Sequence, residues 1–286
     1  MSGTRLTLLA GLAALALTAC GGSGGTSSDS ATPSAAQRSA HHHHGLGHPR
    51  RVAALVPPAN PAPNSVRVPV LTYHRVVPVS AVGELDLKVD PANFAAEMQA
   101  LVSHGYHSVT QAQLFRALYE HAALPSHPVI ISVDDGYVDD VRTILPVLRR
   151  LHLVATFFVI TGRMTEPGFL TAAQIRRLDR AGMDVEDHTA HHVDLRLLTA
   201  GELAAETAGS RQVLERVIGH PVYAFAYPFG YHNSRVVAAV RAAGFTFAYT
   251  TDGGVMQSTT APLTLPRIHV GRALTPSGLL AQLGGA

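Results

Sequence analysis

Cysteine is almost missing from this 286-residue sequence. The single example, Cys20, has no partner within the chain, which excludes an intramolecular disulfide. Net charge is almost missing too. The 22 basic and 20 acidic side chains leave a formal +2, so there is no broad basic field for nucleic acid or another anionic partner. The apolar stretch from Leu6 to Leu17 is too short for a comfortable membrane span. No internal repeat and no second domain are visible. Histidine is what abounds, with 17 residues. Four of them form the run His41–His44, which reads as low-complexity sequence rather than a metal store. With 47% hydrophobic residues, the chain can bury a substantial core.

Arg5 before the apolar stretch and small residues after it make residues 1–20 a signal peptide. Its end, Leu17-Thr18-Ala19-Cys20, resembles a bacterial lipobox, whose cysteine becomes the lipid-modified first residue of the mature protein. Acyl chains on Cys20 would hold the protein on a membrane face outside the cytoplasm. An ordinary signal peptide with an incidental cysteine is the alternative. Residues 21–64 are Gly, Ser, Pro, Ala and His with little apolar periodicity. They cannot bury enough surface to offset chain entropy and read as a disordered tether.

Residues 65–286 read as one folded domain, expected to be monomeric. Strands are expected at Val68–Tyr73, Val129–Val133, Thr156–Ile160, Asp184–Val185, Tyr223–Ala226, Phe247–Tyr249 and Arg267–Val270. Helices fit between them, the first opened by Asp90-Pro91 as N-cap and first-turn proline, and others at 111–121, 138–151, 171–181, 200–218 and 234–243. Strand alternating with helix predicts an α/β fold with a parallel sheet. Six or seven such units favour a distorted (β/α) barrel whose active site lies at the strands' C-terminal ends.

Chemistry-bearing residues cluster at two of those ends. Asp134-Asp135-Gly136-Tyr137 follows the buried strand Val129–Val133. Adjacent carboxylates there repel unless a cation or different tasks separate them. An Asp-rich turn capping a helix reads equally well from these residues alone. After the strand at Asp184 comes Glu186-Asp187-His188-Thr189-Ala190-His191-His192. On a helical turn His188 and His192 share a face and can chelate one ion, with Asp187 orienting a ring. His191 is spaced nearly as well, and surface histidines at a helix start are the plainer reading. One carboxylate with two histidines on neighbouring strands is a typical open catalytic metal site.

Asp134-Asp135-Gly136-Tyr137 and His188-Thr189-x-x-His192 resemble the first two motifs of the NodB-type polysaccharide deacetylases, the fourth carbohydrate esterase family. Phe225-Ala226-Tyr227-Pro228-Phe229-Gly230 is similar to a degenerate third motif. Val68 to Arg75 and Phe94 to Tyr106 are similar to the branch of poly-N-acetylglucosamine deacetylases. The resemblance spans Val66 to Val270 and implies a hydrolase that removes acetyl groups from an N-acetylated polysaccharide: poly-N-acetylglucosamine, peptidoglycan or a chitin-like glycan.

It implies Asp135, His188 and His192 as ligands of a divalent metal, Zn2+ by default, with Co2+ or Ni2+ able to serve. It implies Asp134 as general base, the Phe229 backbone N–H as an oxyanion donor, and Tyr137, Tyr227, Pro228 and Arg267 as substrate contacts. The aromatics Tyr73 and Tyr231 are further candidates for a sugar groove. The general acid is expected at His74, where Val70-Leu-Thr-Tyr-His74 matches the branch pattern, rather than at His269 in Leu265-Pro-Arg-Ile-His269. The arginine that opens the third motif in relatives is Ala226 here, and Arg267 is a candidate to replace it. A non-catalytic glycan-binding lipoprotein and an O-deacetylase such as an acetylxylan esterase are the competing functions.

Overall fold

A computed structural model describes residues 55–78 and 85–284 of the chain. The candidate signal peptide, Cys20 and most of the expected tether lie outside the described residues. No helix among the described residues is long and apolar enough to cross a membrane.

The strands in chain order are β1 (Ser65–Arg67), β2 (Val70–Tyr73), β3 (Arg75–Val76), β4 (Lys88–Val89), β5 (His107–Ser108), β6 (Pro128–Val133), β7 (Thr156–Val159), β8 (Asp184–Asp187), β9 (Ala224–Ala226), β10 (Phe247–Tyr249), β11 (Met256–Ser258) and β12 (Ile268–His269). The helices are α1 (Pro91–Ser103), α2 (Gln111–Tyr119), α3 (Leu145–Arg150), α4 (Ala172–Arg180), α5 (Ala200–Ala204), α6 (Ser210–Ile218), α7 (Ser234–Ala242) and α8 (Pro276–Gln282). One parallel sheet runs in the order β10-β9-β8-β7-β6-β2-β12, with β5 paired to the start of β6.

The sheet curls, and its edges meet through a bridge between Tyr249 and Leu265 rather than a full ladder. That is the expected distorted barrel. Side chains alternate across it as strand geometry requires. Leu71, Ile131, Phe157 and Phe225 join the core beneath the helices, whereas Val70, Ile130, Phe158, Ala224 and Tyr249 form a second core inside the curl. Helix α2 plugs the inside at the strands' N-terminal end. Gln111 there donates its backbone N–H to Asp184 and its side-chain amide to Thr156, both at strand starts.

Local signals account for the helix starts. Asp90 accepts from the Ala92 N–H at 2.9 Å, and Thr110, Thr171 and Thr199 each close a capping box. The segment 55–64, read from sequence as tether, instead packs on the domain. Leu55 is buried in the inner core and its carbonyl accepts from Thr246, while Asn64 bonds Thr259 and the end of α2. The isolated pattern has too few apolar residues to reveal this, because its partners are all distant in sequence, on α2 and in the segments around Thr246 and Thr259.

Candidate active site

The C-terminal ends of β2, β6, β8, β9 and β12 surround a cavity of about 530 Å³. Backbone strain concentrates there. Asp135 (φ 78°), Thr189 (φ 68°), His192 (φ 55°) and Phe229 (φ 59°) are four of the seven described non-glycine residues with left-handed backbone. Such conformations cost energy and persist only where the surroundings over-determine them, which is common at functional sites.

Asp134 and Asp135 follow β6 and both line the cavity, but they meet different partners. Asp134 is buried and held by Arg267, whose Nη1 and Nη2 each donate at 2.8 Å to a different carboxylate oxygen. The Arg267 Nε donates to the Thr250 carbonyl, and its guanidinium lies over Phe158. Burial would raise the Asp134 carboxyl, but Arg267, His188 and His74 together hold it below the usual carboxylate range. Arg267 comes from just before β12, so it supplies to this aspartate the cation that Ala226 cannot.

Asp135 faces the histidines. Its Oδ1 lies 3.5 Å from His188 Nε2 and 3.7 Å from His192 Nε2. One donor atom from each of the three residues falls within 4.8 Å of the others. His188 Nδ1 is 2.8 Å from the Ala226 carbonyl, which only accepts, so Nδ1 carries a proton and, in the neutral ring, Nε2 keeps its lone pair. That lone pair then faces a carboxylate oxygen that is itself buried with no hydrogen-bond partner. Something positive must lie between them. Burial would lower the His188 pKa, but the bond to Asp135 and the neighbouring carboxylates raise it, so a proton can take that place. A divalent ion can replace the proton, which is how the donor set fits a metal. Burial opposes ionisation of Asp135, yet His188, when protonated in the absence of an ion, holds it at about 2 through its hydrogen bond and charge. Burial and then His188 pull His192 down to about 4, favouring the neutral ring that a metal needs.

The sequence reading had Asp187 orienting a ring. Instead its Oδ1 accepts from the Thr189 N–H and its Oδ2 from Ser210, so it shapes the turn, and the Ala226 carbonyl orients His188. His191 turns outward, its ring on Glu206. His188 and His192 therefore converge on Asp135 through a left-handed turn and not through a helix.

His74 follows β2, beside β12 in parallel register. Its Nδ1 is buried with no hydrogen-bond partner among the described residues, and burial lowers its pKa. His269 lies 5.8 Å away between ring centroids. It is exposed at the cavity's edge, its Nε2 3.2 Å from the Asp86 carbonyl. Tyr137 lines the cavity, stacked on Phe169 and covered by Arg75 at 4.2 Å. Phe229 and Tyr231 form a half-exposed aromatic rim beside His192. Tyr227 also lines the cavity, but its hydroxyl is committed to the Leu263 carbonyl. Pro228 starts the turn 228–230 and is buried away from the cavity lining. Tyr73 is buried too, its hydroxyl donating to Glu97.

Sequence reasoning missed Arg75, Asp139 and Glu206. Asp139 holds the Arg75 guanidinium and accepts from the Val76 N–H, bracing the strand end that carries His74. Arg75 follows His74 directly, and that adjacency was the available signal.

Residues 121–248 match the family described as polysaccharide deacetylase. The deacetylase PplD of Streptococcus pyogenes, solved in complex with acetate, is 26% identical with a TM-score of 0.72, covering 77% of this chain and 99% of that one. A polysaccharide deacetylase from Bacillus cereus is 29% identical with a TM-score of 0.69, covering 77% of this chain and 69% of that one. In sequence, the poly-beta-1,6-N-acetyl-D-glucosamine N-deacetylase of Staphylococcus epidermidis is 25% identical over 228 residues, 70% of this chain and 78% of that protein. Residues 121–248 thus carry a polysaccharide deacetylase domain, and the likeness to deacetylase structures extends over 77% of the chain.

Proposed function

We propose that this protein is a metal-dependent deacetylase of a polymer of N-acetylglucosamine, with poly-β-1,6-N-acetylglucosamine first among the substrates, acting outside the cytoplasm on a membrane to which Cys20 anchors it. The observation that carries the reading is the pairing of two sites in one cavity. Asp135, His188 and His192 offer three converging donor atoms, and an ionised Asp134 stands beside them with both oxygens held by Arg267. The polymer is suggested by the Staphylococcus epidermidis relative, and the anchor by Leu17-Thr18-Ala19-Cys20.

Asp135, His188 and His192 would hold the ion. When bound, a divalent ion there supplies Lewis-acid polarisation of the acetamide carbonyl and makes a nearby water easier to deprotonate. Asp134 takes the proton from the attacking water, and Arg267 keeps that carboxyl ionised and aimed. The water oxygen bonds to the acyl carbon, and the Phe229 backbone N–H donates to the developing oxyanion. As the C–N bond breaks, His74 gives a proton to the departing amine, leaving acetate and a free amino sugar. Phe229 and the uncovered face of Tyr231 can stack on sugar rings, while Tyr137, sandwiched between Phe169 and Arg75, can present only its edge.

The test is acetate release from poly-β-1,6-N-acetylglucosamine, chitooligosaccharides, peptidoglycan and acetylxylan, with and without chelator. Chelation should abolish release, and Asp135→Ala should lose both metal and activity. Asp134→Asn should keep its metal and lose turnover by about a hundred- to ten-thousandfold. Comparable metal loss in Asp134→Asn would mean the roles are misassigned, and release from acetylxylan alone would make the enzyme an O-deacetylase. In cells, Cys20→Ser should leave the membrane fraction or accumulate as precursor. Unchanged membrane association would remove the lipid anchor from the reading.

A further inference from the structure

The turn that carries His188 and His192 is built from unfavourable backbone. Thr189 and His192 are both left-handed without being glycine, so outside contacts must hold the turn together. Its root is held by Asp187, which accepts from the Thr189 N–H at 2.8 Å. Its flank is held by the N–H groups of Thr161 and Gly162, which donate to the carbonyls of Thr189 and Ala190. Within the turn, Thr189 Oγ1 accepts from the His192 N–H at 2.9 Å.

The residue between Ala190 and His192 is gripped from elsewhere. Glu206 is buried, and its Oε2 accepts from the His191 N–H at 2.9 Å while its Oε1 accepts from His191 Nδ1 at 2.6 Å. Glu206 stands in a π-helical turn, Ala205–Gly209, set between α5 and α6. A π turn inserts a residue and redirects the side chains around it, and such turns are frequent at functional sites. Just past it, Ser210 donates to Asp187 at 2.7 Å. One helical segment therefore holds both the root and the outer limb of the turn.

We propose that Glu206 is a positioning residue for the ion site, acting through His191 to fix the backbone that aims His192; this rests on the metal reading above. His188 has its own support in the Ala226 carbonyl, so the effect falls on one ligand of three. Outer contacts of this kind are typically worth ten- to a hundredfold in metal affinity. His191 is itself exposed, so water can satisfy its N–H and ring when Glu206 is removed. A loss of affinity then exceeds any loss of fold.

The experiment titrates the metal-free full chain with Co2+, read by its visible absorption, and records thermal unfolding of the same metal-free samples. Glu206→Ala should bind Co2+ about ten- to a hundredfold more weakly than wild type, with little change in its melting temperature. Glu206→Leu keeps buried volume and carries the same expectation should the alanine variant fail to fold. Glu206→Gln still accepts from the His191 N–H and should recover most of the affinity. A wild-type dissociation constant in whichever of the alanine and leucine variants folds overturns the inference while leaving the metal reading intact. Wild-type protein that binds no Co2+ overturns both.

Discussion

Asp134 and Asp135 are neighbours with the same side chain, and their surroundings give them different work. Arg267 neutralises the first, and two imidazoles face the second. The same logic separates the two histidines across the cavity. His74 has a buried nitrogen within electrostatic reach of Asp134 and Asp135, whereas His269 is exposed and occupied with the Asp86 carbonyl. A general acid must meet the leaving nitrogen beside the base, which favours His74. His74→Ala should therefore lower turnover by about a hundred- to ten-thousandfold with metal content unchanged, while His269→Ala stays near wild type. Single-turnover acetate release with metal analysis would check this, and the reverse ranking would move the acid to His269. At this scale the sequence was legible for types and order. Two carboxylates after a buried strand and two histidines after another did locate the cavity. The chelating geometry was not legible, because spacing suggested a helical turn and a left-handed one is present. Neither the outward turn of His191 nor the bond from His188 to the Ala226 carbonyl leaves a trace in residue spacing.

Elements were legible where many residues vote together. Parallel strands such as β6 are continuous apolar runs because both faces are buried, and α1 announces its start with Asp90-Pro91, whereas the capping boxes of Thr110, Thr171 and Thr199 emerge from the structure. Two-residue strands such as β3, β4 and β5 carry no period at all. The helix expected over 200–218 is continuous but contains the π turn that carries Glu206, which apolar periodicity does not resolve. One glycine tests how tightly such elements meet. Gly162 does not have left-handed backbone, so its requirement is one of space: a Cβ there would collide with the Ala190 carbonyl oxygen and crowd the His191 ring. Gly162→Ala should cost about 1–3 kcal/mol in urea unfolding, the usual range for overpacking, and should weaken Co2+ binding. Gly201→Ala in α5 has open space around the new methyl and should be neutral or stabilising by up to about 1 kcal/mol. Equal behaviour of the two variants would mean that the contact between the 161–163 and 189–192 turns yields easily.

Across the whole molecule, one buried carboxyl joins the first strand of the sheet to the helix layer. Glu97 on α1 accepts from the Tyr73 hydroxyl at the end of β2 and from Asn93, which also donates to the Leu274 carbonyl before α8. Burial is the dominant influence and pushes the Glu97 carboxyl from 4.5 up to about 7, against the lowering effect of the Tyr73 and Asn93 bonds. The sign follows directly. Between those two values the folded protein keeps a proton that the unfolded chain releases, so stability is full below about 4.5 and declines as pH rises to about 7. A shift from 4.5 to about 7 is roughly 2.5 units, or about 3 kcal/mol at most. Other groups titrate over the same range, so the informative quantity is the difference between wild type and Glu97→Gln. The neutral amide keeps the shape, and the Tyr73 hydroxyl can either donate to it or accept from it. Denaturant midpoints taken from pH 4 to 8 should bring the variant from equal or slightly lower stability at the acid end to clearly higher stability above pH 7. A difference that stays flat across that range would mean that Glu97 ionises in the folded protein as readily as in the unfolded chain.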